Sequence, residues 1–145
     1  MILNVSGRTN IVAFYTKLFI NRYKESFVDV RKSFYITSVN RIYFTDVDLI
    51  VLCTKNHRSI IPYLKEIKKP IIIYTTITPY KSDIEPNVKD KTEIINDIIE
   101  VSKIIGKEFT YIRYDPIFIS EKYTIEYHIK AFDKLCKLLN GHVEK

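Results

Sequence analysis

Apolar residues in this chain come in two arrangements that alternate along its length. Some form unbroken runs; others recur every three or four positions. The runs predict strands and the spaced stripes predict helices. Ile2-Leu3-Asn4-Val5 reads as a short strand, followed by Gly7, where the chain can turn. From Ile11 the spacing becomes helical, with Ile11, Tyr15, Leu18, Phe19 and Arg22 on one face and Thr9 or Asn10 as the N-cap. Val28-Asp29-Val30 and Arg41-Ile42-Tyr43-Phe44 then read as two extended segments of a small hairpin-like insertion. Leu49-Ile50-Val51-Leu52-Cys53 is an uninterrupted apolar run, which predicts a strand buried on both sides.

The alternation continues to the end of the chain. Ser59 caps a predicted helix whose core face is Ile60, Leu64 and Ile67, with Pro62 in the first turn, where a missing N–H is harmless. Ile71-Ile72-Ile73-Tyr74-Thr75 is the third strand of the main series. The connection from Thr76 to Lys89 contains Pro79 and Pro86 and is long enough to suggest a functional loop. Asp90 and Glu93 form a capping box, Ile94, Ile98, Val101 and Ile105 make a buried stripe, and Gly106 ends that helix. Phe109 to Ile112 is the fourth strand. The last helix places Ile125, Ile129, Phe132, Cys136 and Leu139 on one side and closes at Gly141.

Four apolar strands alternating with four amphipathic helices define an α/β chain of parallel β/α units. Residues 1–145 are expected to form a single domain. A complete β/α barrel needs about 200 residues or more, so the expected architecture is a half or partial TIM-like barrel, with the hairpin inserted after the first helix. A small doubly wound sheet fits the length, but the Gly-rich phosphate turn of that fold is absent.

Composition refines this picture without changing it. The 145 residues are 46% hydrophobic and 28% charged, as in a globular protein. No apolar run reaches membrane-spanning length and the N-terminus lacks a signal-peptide pattern, so a cytoplasmic location without membrane contact is expected. The net charge of +6 is spread over helices rather than gathered into a footprint for nucleic acid. Cys53 and Cys136 are expected to be small buried hydrophobes, and no spacing resembles a metal site. His57 reads as a solvated loop residue, and His128 carries no signal.

The chemistry-bearing residues gather at predicted strand ends. Ser6-Gly7-Arg8-Thr9, Thr54-Lys55-Asn56, Thr78-Pro79-Tyr80 and Arg113-Tyr114-Asp115-Pro116 each follow a strand. Parallel β/α folds bind ligands at the carboxyl ends of their strands. Arg8, Thr9, Lys55, Asn56, Thr78, Tyr80, Arg113 and Asp115 are therefore ligand-binding candidates. Arg8 and Arg113 have the fork that grips a carboxylate or phosphate. Lys55 and Asn56 stand just before a predicted helix N-terminus, which favours an anion. Asp115 is placed to orient Arg113 or Lys55, or to accept a proton. No residue is assigned a catalytic role from the sequence, and none is assigned to a metal.

Taken in order, Ser6-Gly7-Arg8-Thr9-Asn10-Ile11 with Ala13-Phe14-Tyr15, then Cys53-Thr54-Lys55-Asn56, Thr76-Ile77-Thr78-Pro79-Tyr80 and Arg113-Tyr114-Asp115-Pro116 resemble the domain of unknown function 1848 family. That bacterial family is similar to spore photoproduct lyase and other radical S-adenosylmethionine proteins. The resemblance implies a partial or full β/α barrel. It also implies, for longer relatives, a C-terminal cysteine-rich segment for a [4Fe–4S] cluster used with S-adenosylmethionine. This chain carries no such segment and has Asn10 and His57 where the family usually has aspartate and proline. The resemblance thus implies an N-terminal half without cofactor of its own and without independent catalysis. Alternative expectations are a module binding an anionic ligand or nucleic acid, and a subunit that completes a barrel as a homo-oligomer or with a separately encoded C-terminal half.

Overall fold

The computed structural model describes residues 1–31, 35 and 37–144. The main sheet contains β1 (Ile2–Asn4), β4 (Leu49–Thr54), β5 (Ile71–Thr76) and β6 (Thr110–Arg113), all parallel and in that order. A second, antiparallel sheet pairs β2 (Phe27–Arg31) with β3 (Val39–Tyr43), which is the expected hairpin. Part of its connection, residues 32–34 and 36, lies outside the described residues. The helices are α1 (Ile11–Phe14), α2 (Thr16–Lys24), α3 (Lys91–Ile105) and α4 (Ile125–Leu139).

Residue alternation divides the main sheet into two unlike faces. Ile50 and Leu52 of β4 and Ile71 and Ile73 of β5 join one core cluster with Val12, Phe19 and Ile20 of the first helices, with Ile60, Ile61 and Leu64, and with Val101 of α3. A second cluster brings Ile77 against Ile94 and Ile98 of α3 and Leu135 and Leu139 of α4, with Ile112 of β6 packed beside it. Because successive strands are neighbours in sequence order, right-handed crossovers carry the helices to the same side. Val51, Cys53, Ile72, Tyr74 and Tyr111 point the other way. They are only half-buried, and among the described residues neither cluster includes them. The expectation that Leu49 to Cys53 is buried on both sides is therefore corrected. One side is covered.

Several local expectations change for identifiable reasons. The first helix is broken at Tyr15. Its buried residues are Val12, Thr16, Phe19 and Ile20, while Tyr15 and Leu18 are exposed. Asn10 does cap it, its Oδ1 accepting from the Ala13 amide at 3.0 Å. The segment after β4 is a 3₁₀ helix, Ile61–Glu66, with Pro62 in its first turn. Ser59 does not cap it; its hydroxyl donates to the carbonyl of Val12 and so ties this turn to α1. Asp90 caps α3, and Gly106 ends it at φ 97°, a backbone conformation that glycine adopts without a Cβ penalty. In α4 the predicted stripe holds only at Leu139, which is buried with His128 and Leu135; its other members, Ile125, Ile129, Phe132 and Cys136, are exposed.

Candidate functional site

Parallel pairing sets Thr54 of β4 beside Thr75 of β5, and Thr76 beside Arg113 of β6. The loops leaving these strands therefore emerge along one edge. The structure joins some of the predicted residues there through a side chain the sequence did not single out, Glu85. Its carboxylate accepts from Lys55 Nζ, from Thr78 Oγ1 at 2.6 Å and from Lys91 Nζ at 2.6 Å. Burial alone would raise the Glu85 pKa. The hydrogen bonds from Lys55, Lys91 and Thr78 outweigh that effect and hold it down at about 2. The long loop after β5 is thus latched by its acid to the ends of two strands and the start of α3. Its sequence signal was weak, since one glutamate between two prolines has no periodicity to mark it.

The other candidates are arranged in separate groups. Arg8 is exposed and donates to the backbone carbonyl of Arg31 at 2.7 Å, which fastens the hairpin to the end of β1. Thr9 is exposed, and its carbonyl accepts from the Ile11 amide. Asn56 Oδ1 accepts from the Arg58 amide, and the Asn56 amide donates to Thr54 Oγ1. Arg113 and Asp115 form an exposed ion pair at 2.5 Å, so Asp115 orients Arg113 and not Lys55. Tyr80 is buried; its hydroxyl donates to the Pro116 carbonyl and accepts from the Phe118 amide. That residue holds the segment after β6 in place.

Both histidines dismissed on sequence are structural. His57 is fully buried and not solvated. Its Nε2 meets Thr75 Oγ1 at 2.7 Å, while Nδ1 has no partner among the described residues. Burial pulls its pKa down to about 4, so the ring is neutral at neutral pH. His128 is buried beneath an aromatic cluster with Tyr80, Tyr114 and Tyr127. Its Nε2 donates to the Phe118 carbonyl at 3.1 Å, which leaves Nδ1 to accept from the Tyr114 hydroxyl at 3.1 Å. Burial and the neighbouring Tyr80 and Tyr127 push the Tyr114 pKa up to about 12. Asp97 is buried on α3 with its carboxylate 2.6 Å from Arg58. That approach is poorly aligned as a hydrogen bond, and burial still raises the Asp97 pKa despite the guanidinium.

Two hollows flank the edge. A cavity of about 260 Å³ lies between the loop after β5, α3 and α4, with Thr78, Lys91, Tyr114, Tyr127 and Leu138 in its wall. A wider cleft of about 790 Å³ lies between β1, α2 and the hairpin, next to Arg8, Tyr15 and Leu18. Among the described residues no three His, Cys, Asp or Glu side chains gather to hold a metal ion. The two thiols do not fit a cubane cluster, because Cys53 lies on β4 and Cys136 is exposed on α4, and such clusters take three or four thiolates. Cys136 is also no buried hydrophobe, and Cys53 is only half-buried.

These features describe an α/β protein with a singly wound parallel sheet and a polar, cation-rich carboxyl edge. The chain belongs to the family described as Domain of unknown function (DUF1848), whose model matches residues 2–145. No curated protein and no solved structure matches it. No helix among the described residues is long and apolar enough to cross a membrane.

Proposed function

We propose that this chain forms one side of a β/α barrel, presents an anion-binding edge at the carboxyl ends of its strands, and does not complete a catalytic centre by itself. The observation that carries this reading is the sheet, whose sequential order leaves one face half-exposed. Parallel sheets are ordinarily covered on both faces, and in a barrel the second face is filled by side chains from the remaining strands. The outward stripe Ile125, Ile129 and Phe132 on α4, and Tyr15 and Leu18 beside the cleft, add apolar surface on the two flanks where further β/α units would pack. In this reading the [4Fe–4S] cluster and S-adenosylmethionine implied for longer relatives of the radical S-adenosylmethionine type are held by residues outside this sequence. No step of theirs is assigned to the residues described.

The ligand class follows from charge. Arg8, Lys55, Lys91 and Arg113 at the carboxyl edge are matched by two carboxylates, Glu85 and Asp115. The surplus favours a small phosphorylated or carboxylated molecule. Titration with inorganic phosphate at low salt tests this. Binding should weaken about tenfold, a loss of about 1.4 kcal/mol, in an Arg8→Ala/Arg113→Ala double variant and should fade with salt. No binding of phosphate or nucleotide at low salt overturns the ligand reading.

A second reading, self-completion, is favoured by β1 and β6 standing at the two edges of the main sheet; on β6 the Thr110 carbonyl accepts from the Glu144 amide, so the C-terminal tail would have to give way there. Two copies related by a two-fold axis would set each β1 beside the other copy's β6. Light scattering distinguishes a dimer from a monomer of 17.2 kDa, and a monomer at high concentration removes this reading.

A further inference from the structure

The carboxylate of Glu85 sits where an anionic ligand's head group would be expected. It reaches, from a loop without helix or strand, one ammonium group just after β4, another on the first residue of α3, and a hydroxyl two residues past β5. Three donors from three separate places converging on one carboxylate is the arrangement of an oxyanion site. Two of them, Thr78 and Lys91, also line the cavity of about 260 Å³, whose other walls include Ile95, Tyr114 and Leu138. Cationic and hydroxyl donors at one end and an apolar hollow beside them fit a molecule with an anionic head and a small apolar body. The loop carrying Glu85 has its own second anchor, since Asp83 accepts from Lys122 and from the Tyr123 hydroxyl, each at 2.7 Å. Glu85 can therefore leave its donors while the loop stays attached.

We infer that Lys55, Thr78 and Lys91 form a binding site for the phosphate or carboxylate of a small aryl or alkyl anion, with Glu85 as an internal stand-in that the ligand displaces. This rests on the anion-binding reading above and gives it a particular site, with the ligand's body in the adjoining cavity. Removing the Glu85 charge frees two lysines that are otherwise neutralised, so ligand affinity must rise rather than fall. A purely structural Glu85 predicts the opposite, or nothing.

The test is calorimetric titration of phenyl phosphate and of inorganic phosphate, at fixed low salt and pH 7, into the wild-type chain and its variants. Glu85→Gln should bind phenyl phosphate at least tenfold more tightly than wild type. Glu93→Gln, which removes a charge from the first turn of α3 without touching the lysines, should change it less than threefold. Ala131→Phe, which fills the cavity from α4, should abolish the preference for phenyl phosphate over inorganic phosphate in the Glu85→Gln background. Circular dichroism confirms that each variant folds. Should Glu85→Gln unfold, Glu85→Asp draws the carboxylate back from the lysines and should tighten binding severalfold. Unchanged or weaker binding in the folded Glu85 variant overturns the inference. If wild-type binding depends on Arg8 and Arg113 while Glu85→Gln has no effect, this site fails and the broader anion-binding reading stands.

Discussion

The two faces of the parallel sheet both carry aliphatic residues and live in different surroundings. On one, Ile50, Leu52 and Ile73 are wholly removed from solvent by α1, α2, α3 and the 3₁₀ turn. On the other, Val51 and Ile72 are aliphatic too but only half-buried, beside the half-buried Tyr74 and Tyr111, whose rings lie 5.1 Å apart. The sheet's aliphatic residues alone would not tell the two faces apart. What separates them is chain order: each crossover returns its helix to the same side. An apolar strand that alternates between buried and half-exposed residues is thus a statement about what the sheet is built to meet.

Mutation should expose the difference as stability. The largest effects belong to the covered face, where Leu52→Ala and Ile73→Ala should each cost about 2–5 kcal/mol, read from urea midpoints. Val51→Ala and Ile72→Ala on the open face should cost about 1 kcal/mol or less, because little area returns to water. Equal losses on both faces would break the comparison.

Acid provides the next test, since His57 lies buried among the covering elements. Its folded pKa of about 4 is below the ordinary 6.5, so protonation favours the unfolded chain. Its contribution is fully present above pH 6.5 and is lost as pH falls towards 4, roughly 3 kcal/mol in all. Glu85 acts in a lower window, from about 4.5 down towards 2. Stability should therefore already decline between pH 6.5 and 4.5, and His57→Leu should flatten that part of the profile. At pH 7 Glu85→Gln should cost about 2 kcal/mol in thermal or urea unfolding, the scale of hydrogen bonds to a charged group. The smallest effect belongs to the outward stripe of α4. Ile129→Lys should change the stability of the isolated chain by no more than about 0.5 kcal/mol while raising its solubility.

The strands, the hairpin, Asp90 and Gly106 were legible because local chemistry decides them. Unbroken runs such as Ile71 to Thr75 and a cap followed by a stripe leave little alternative. The stripe of α4 was not, because that helix carries two apolar rows. Ile125, Ile129 and Phe132 form one; Leu135 and Leu139, with His128, form the other. Only tertiary packing chooses between them. The strand-end clusters were visible as positions, but not their partners. Lys55 and Thr78 meet through Glu85, and Arg8 meets the hairpin carbonyl of Arg31, across 30, 7 and 23 residues respectively. His57 was misread because flanking polar residues suggested solvent, whereas its ring turns inward to Thr75.

The most direct test of the open face uses its own thiol. Cys53 lies on that face of β4 and Cys136 is exposed on α4, so Cys136→Ser isolates a single reporter. The monomeric fraction of this variant, treated with iodoacetamide at neutral pH without denaturant, should be alkylated at Cys53 within about tenfold of the rate at Cys136 in a Cys53→Ser chain. Cys53 that stays protected until the chain unfolds would mean that the face is already covered, and would contradict the account.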